Sequence, residues 1–293
     1  MGLLCRFIVF VVLIATLPGA LRAQGLPGPE TEPMAEITVS SDRHMPLGKL
    51  DRSVVPRAYR LDLTIDPAAP RFSGHVEIDV DLAEPTDVIY LHGRDLAVSR
   101  AVARVAGHAV EGHWRQSDAT GIVRLSFDES LPQGAATLAF DYDAAFADSP
   151  TGMFHVEVDH QWYSWTQFQS IDARAAFPGF DEPGFKTPFT VTLRTPPGLS
   201  AISNGAETGE PPVEDGHAVH RFAPTLPLPT YLVAMMVGPF ASLEGQVPPN
   251  ALRLEPLPVR IDSTQQNAGR LAFAMEGTQK IVGLLESYFG GAF

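Results

Sequence analysis

Tyr59, Leu61, Leu63 and Ile65 alternate with Arg60, Asp62, Thr64 and Asp66, a period of two that predicts a strand with one buried face. Val76, Ile78, Val80 and Leu82 repeat it. Between the two runs, Asp66-Pro67 to Gly74 carries turn residues, so the pair is expected to be antiparallel neighbours. The alternation returns at Val123-Leu125-Phe127, Leu138-Phe140-Tyr142 and Phe189-Val191-Leu193, each set off by Gly, Pro, Asp or Asn. The run from Tyr231 to Val237 is apolar throughout and reads as a strand covered on both faces, as two layered sheets would provide.

Beyond the prolines at 248, 249, 256 and 258 the period changes. From about Asn267 to Phe289 a helix is predicted, with Leu271, Met275, Thr278, Ile281, Val282, Leu285, Tyr288 and Phe289 on one stripe. Asp262 or Ser263 would cap its start and Gly290-Gly291 would end it. The apolar stripe calls for a partner. The expected class is therefore mostly β, a layered antiparallel β domain over 51–245, with a second domain beginning at 246–293 by a strand and a helix.

Composition fits short strands with many turns, since 26 prolines and 25 glycines disfavour long helices, while 45% hydrophobic residues suffice for a packed core. Residues 1–23 read as a secretory signal: Arg6, then the apolar stretch Phe7 to Leu17, then small residues that allow cleavage near Ala23. The stretch is too short to span a membrane comfortably, so no stable span is expected after cleavage. Residues 24–50, rich in Pro, Gly, Glu and Ser, read as a flexible spacer. The expected location is secreted or periplasmic. Cys5, the one cysteine, would leave with the signal, so the mature chain has neither disulfides nor thiolate zinc ligands.

The formal charge of −13 becomes two units more negative without the signal, because Arg6 and Arg22 leave and no acid does. With no Lys/Arg cluster, a nucleic-acid partner is not expected. An acidic field favours cationic ligands such as a peptide's free amino terminus, and equally serves solubility.

The densest polar and aromatic segment runs from Trp162 to Ser170, followed by Ile171-Asp172-Ala173-Arg174 and by Phe177 to Pro183. On a strand, Gln167 and Gln169 share a face and Phe168 and Ser170 the other. Two neighbouring carboxamides suit a peptide backbone or amino terminus, or satisfy buried backbone groups at a bend. Arg174 with Asp181 and Glu182 is expected to tie down a Pro-bounded loop. No His-Glu-x-x-His is present. The nearest imitation, His108-Ala109-Val110-Glu111-Gly112-His113, lies in a turn-rich stretch with the wrong spacing for the inverted motif. His155 with His160, and His217 with His220, are solitary pairs. Neither a Gly-x-Ser-x-Gly elbow nor a phosphate-cradling loop occurs.

Thr166-Gln167-Phe168-Gln169 through Asp172 to Lys186 resembles the amino-terminal signature of the aminopeptidase N family of zinc metallopeptidases. Ser203-Asn204-Gly205, Leu226 to Ala234, Val237-Gly238-Pro239-Phe240 and Tyr288-Phe289-Gly290 follow in the family's order. The resemblance implies a β-saddle domain packed on the start of a thermolysin-like α+β catalytic domain. It places Gln169 where the family binds the substrate amino terminus, and Gln167 at the wall of the first side-chain pocket. Gln169 would meet an ammonium through its carbonyl oxygen, with weaker charge assistance than a glutamate. Glutamine at that place is similar to the leukotriene A4 hydrolase branch, and Gly179 departs from the cysteine of many relatives.

The family's Gly-x-Met-Glu-Asn and His-Glu-x-x-His segments, which supply the amino-terminus anchor, the zinc ligands and the general base, are not in this sequence. The resemblance thus implies a front portion of an exported zinc aminopeptidase, inactive alone, whose partners are peptide substrates and the missing catalytic domain. Zn2+ belongs to the complete family protein, with no ligands in this chain. The alternatives are a non-catalytic β module binding peptides or a partner, a fragment of a leukotriene A4 hydrolase-like enzyme, and a metalloenzyme with an unusual histidine site.

Overall fold

The computed structural model describes residues 45–292. The expected signal at 1–23 and the spacer as far as residue 44 lie outside the described residues. Seven strands come first: β1 (Val54–Thr64), β2 (Arg71–Leu82), β3 (Thr86–His92), β4 (Ala97–Val105), β5 (His108–Gln116), β6 (Ile122–Leu131) and β7 (Gly134–Ala145). After β8 (Gly152–Val158) and β9 (Gln161–Gln167) the chain passes a 3-10 turn at Ala173–Ala175. It returns as β10 (Phe189–Thr195), β11 (Ser200–Ser203), β12 (Val213–Glu214) and β13 (His217–Arg221). A second 3-10 turn, Thr230–Leu232, leads into β14 (Met235–Gly238), β15 (Ala241–Val247) and β16 (Leu257–Ser263). A third, Gln265–Arg270, opens the helix α1 (Leu271–Phe289).

A ten-stranded sheet runs in the order β12-β13-β10-β1-β2-β7-β4-β5-β6-β3, and β11-β14-β9-β8 form a smaller sheet. The large sheet is mixed, because β1 and β10 pair in parallel. β1 and β2 are antiparallel as the pattern predicts, with Leu61 opposite Val76 and Tyr59 opposite Ile78. The alternating apolar positions form one buried face: Leu61, Leu63, Val76, Ile78, Leu125, Leu138, Phe140, Val191 and Leu193 are all buried. Met153, Phe168, Met235 and Val237 of the smaller sheet and its flanks join the same core. Each large apolar side chain so buried contributes about 1.5–3 kcal/mol.

The opposite face of the large sheet carries charge. Arg60 reaches Glu77 at 2.9 Å and Asp79 at 2.6 Å, Arg104 reaches Glu77 at 2.6 Å, and Arg194 reaches Asp62 at 2.8 Å. Hydrogen bonds from Arg60, against partial burial, and then from Thr137 hold the Asp79 carboxyl below its ordinary range. Pairs this exposed contribute about 0–1 kcal/mol each.

Three local readings are corrected. The apolar run 231–237 is not one strand. Prolines at 227 and 229 break the entry, a 3-10 turn occupies Thr230–Leu232, and only Met235–Gly238 pairs. The segment around His108 to His113 is a regular strand, β5, where Val110 and Trp114 pack on the core from one face. A Cβ at Gly112 would stand 2.8 Å from the Leu125 side chain, so the residue that looked like a turn is there to make room. Finally, Asp262 and Ser263 lie in β16 and do not cap α1. The 3-10 turn feeds α1 directly, and Gly290 ends it at φ 67°.

The stripe on α1 also differs from expectation. Leu271 and Met275 pack inward, together with Glu286 from the last turn, where α1 lies against the β15–β16 hairpin. Phe273, Leu284 and Tyr288, at 82%, 69% and 82% exposure, form a separate outward face with Ile281.

Candidate functional site

β9 carries the segment singled out by the sequence, and its last residue is Gln167. Phe168 turns inward and is fully buried, edge-on to Phe177 at 5.9 Å between ring centroids. That anchor leaves Gln167 and Gln169 exposed on either side of it, both on the outward side as expected. Ser170, expected to follow Phe168 inward, is exposed instead, because the strand has ended and the chain turns. No hydrogen bond of either glutamine side chain occurs among the described residues. The two carboxamides are therefore free to engage a ligand and do not serve to satisfy buried backbone.

The backbone under them is held from three sides. Asp172 N–H donates to Phe168 O at 2.9 Å, closing the turn. Thr166 Oγ1 accepts from Met235 N–H at 2.9 Å, linking β9 to β14 beside Gln167. Asn204 clamps the approach to β14, donating through Nδ2 to Leu232 O at 2.9 Å and accepting from Ala234 N–H at 2.7 Å. Next to it, Gly205 passes so near Ala223 O that a Cβ would stand 2.1 Å away, which explains a glycine there. These bonds replace the ladder that the interrupted apolar run lacks.

Downstream, Arg174 and Asp181 form the expected pair, with side chains only 6% and 2% exposed and Nε to Oδ2 2.9 Å apart. Glu182 does not join them. It accepts the Leu50 N–H at 2.6 Å and so fixes the entry into the first strand. Arg174 also donates to Thr120 O and Asp181 O. Asp181 receives the Thr230 hydroxyl at 2.5 Å, and its N–H donates to Nδ1 of His92 at 3.1 Å. Tyr59, stacked on Phe189 at 4.6 Å, accepts the Phe180 N–H at 2.8 Å. Burial pushes the Tyr59 phenol up. Burial, and then the charge of Arg174, push the His92 imidazole down to about 3, so it is neutral. This cluster is scaffold: its acids are paired and none lies free to exchange protons with a ligand.

His92 and Thr230 are the members that sequence reasoning missed. A lone histidine closing the alternation Ile89-x-Leu91 and a threonine inside an apolar, Pro-led run were the available signals.

The other histidines do not converge. His108 and His113, five apart on β5, face opposite sides, and His113 lies 3.1 Å from Asp128. His155 is stacked on Phe146 at 4.5 Å and lies 4.7 Å from the Trp162 ring, and its Nδ1 meets Pro67 O. His220 meets Glu207 at 2.7 Å and Thr195 at 3.2 Å. Among the described residues no group of three His, Cys, Asp or Glu is placed to hold a metal ion. The described residues do not fit a zinc site.

Residues 55–232 match the peptidase M1 N-terminal domain family. An aminopeptidase M1-C of Oryza sativa subsp. japonica is 33% identical over 258 residues, covering 85% of this chain and 28% of that protein. Aminopeptidase N of Acetobacter pasteurianus is 29% identical over 248 residues, 83% of this chain and 67% of its own length. Aminopeptidase N of Bos taurus is 28% identical over 299 residues, 94% of this chain and 30% of its own length. The chain thus spans less than a third of the rice and bovine relatives.

Proposed function

The chain belongs to the peptidase M1 family through its N-terminal domain, and from that premise we propose that it is the amino-terminal portion of an exported zinc aminopeptidase. In this reading the chain binds and orients substrate and does not itself carry the hydrolytic centre. The observation that carries it is the pair Gln167 and Gln169. Two exposed carboxamides without partners among the described residues, fixed by the buried Phe168 between them, stand at the place where the resemblance puts the substrate amino terminus and first side chain. Gln169 accepts the ammonium through its carbonyl oxygen, and Gln167 walls the first side-chain pocket.

The zinc, when bound, supplies the Lewis acid and activated water of such a peptidase, and its ligands belong to the catalytic domain that relatives carry beyond the matched region. The outward face of α1, with Phe273, Leu284 and Tyr288, fits as the surface on which that domain packs. Export rests on the residues before Ala23.

The reading is tested in the complete peptidase. Gln169→Ala is expected to raise KM for an amino-acid anilide roughly tenfold, as for loss of one hydrogen bond to a charged group. The same change should leave competitive inhibition by amino-terminally blocked peptides, which offer no ammonium, untouched. Equal KM in Gln169→Ala and the parent would defeat the assignment. The 293-residue chain alone, supplied with zinc, should not hydrolyse the anilide, and chelator-sensitive turnover by it would overturn the division of labour. Export predicts a mature amino terminus near Gln24 in the extracytoplasmic fraction.

A further inference from the structure

Away from the two glutamines, the segments 48–52 and 181–185, with His92 and Arg174, enclose a cavity of about 570 Å³. Its lining is unusual in what it offers. His92 is 1% exposed, yet it lines this space. Because Nδ1 accepts the Asp181 N–H, the neutral ring must carry its proton on Nε2. That Nε2–H has no acceptor among the described residues. Among the described residues the fully buried side-chain polar atoms without a partner are Ser117 Oγ and Thr187 Oγ1, so this N–H is not sealed off and can donate to an acceptor in the cavity.

The surrounding charges point the same way. Lys49, Arg52 and Arg174 line the cavity against Asp181 and Glu182. Both oxygens of Asp181 are already engaged, by Thr230 and by Arg174, and Glu182 holds the Leu50 N–H. Arg174 spends three of its five N–H donors on Asp181 and Thr120, leaving one on each terminal nitrogen. Lys49 and Arg52 are exposed at the rim, the Arg52 guanidinium 5.3 Å from the centre of the Phe185 ring. Open donors thus outnumber open acceptors, of which the second Glu182 oxygen is one. Between them lie apolar walls, Leu50, Ile171 and Phe185.

We propose that this cavity is a binding site for a small organic carboxylate with an apolar substituent. Its carboxylate takes the His92 Nε2–H and the Arg174 and Arg52 donors, and its apolar part rests on Leu50 and Phe185. The site is separate from the glutamine pair and does not depend on the peptidase reading.

The test uses the full chain at low ionic strength, with 4-phenylbutyrate as probe, the neutral 4-phenylbutanol as isostere and inorganic phosphate as the alternative anion. The readout is the imidazole NMR resonances of His92, together with calorimetric affinity. The expected result is a saturable shift of the His92 Nε2 signal by the carboxylate, with a Kd of millimolar order or tighter. His92→Asn keeps an acceptor for the Asp181 N–H, while its shorter amide cannot place a donor where Nε2 stands, and should weaken binding roughly tenfold. Arg52→Ala, at an exposed residue that leaves the fold intact, should do the same. No saturable shift in the folded parent overturns the proposal. So does equal affinity in the parent and Arg52→Ala, equal binding of the alcohol, or binding of phosphate without the carboxylate.

Discussion

Two buried arginine–carboxylate pairs hold this chain together, and they do so differently. Arg174 and Asp181 lie seven residues apart and draw His92, Thr120 and Thr230 around them at the centre of the β domain. Arg253 and Glu286 lie 33 residues apart and pin the loop after β15 to the last turn of α1 at 2.8 Å, with Asn250 as a further donor. The first borders the cavity between segments 48–52 and 181–185. The second lies under a helix whose other face, Phe273, Leu284 and Tyr288, is open. A buried ion pair offsets its own desolvation only when further hydrogen bonds complete it, and both do so. What differs is the unit each one stabilises: a domain in one case, one helix and a hairpin in the other.

The largest effect should come from breaking the first pair. Asp181→Asn leaves Arg174 charged and buried, and urea unfolding of the whole β domain should show a loss of about 3–5 kcal/mol. Glu286→Gln leaves Arg253 in the same predicament at the low end, about 3 kcal/mol. That loss should be local: amide exchange should speed up through Leu271–Phe289 while β1 and β2 keep their protection. If exchange accelerates equally in β1, the two regions are one cooperative unit and the contrast fails.

Mild acid should act on the first region through His92. His92 titrates near 3 when folded and near 6.5 when unfolded, so the unfolded chain binds the extra proton as pH falls through that window. Its stabilising contribution is fully present above 6.5 and is lost below it. Between pH 7 and pH 5 it should cost about 2 kcal/mol, a slope that His92→Asn should remove. The smallest effect belongs to the open helix face: Leu284→Gln should change stability by less than about 0.5 kcal/mol and lower any tendency to self-associate, seen by light scattering.

The same contrast sets what the sequence makes legible. Strands whose partners follow within a turn, such as β1 with β2, are readable from alternation, because one face meets the core throughout. Arg174 and Asp181 are readable because they share one loop. Arg253 and Glu286 are not, since nothing local links them, and a glutamate on a helix ordinarily reads as a solvated position. The glutamine pair is visible as composition. The clamp that holds its backbone is less so, because Asn204 acts on Leu232 and Ala234 across two turns. β5 was obscured by a glycine whose role is steric, and the 231–237 run by prolines whose effect outweighs hydrophobicity.

The parallel pairing of β1 with β10 imposes an order of events during synthesis. β1, β2 and β7 can pair as soon as residue 145 has emerged, yet the other edge of β1 waits for β10, and Asp62 waits for Arg194, 132 residues later. For that interval the nascent chain presents an unpaired strand edge beside an apolar face, the template on which chains aggregate. A chain interrupted before residue 195 would keep that edge open, so demand for a chaperone should be greatest while β10 is still inside the ribosome.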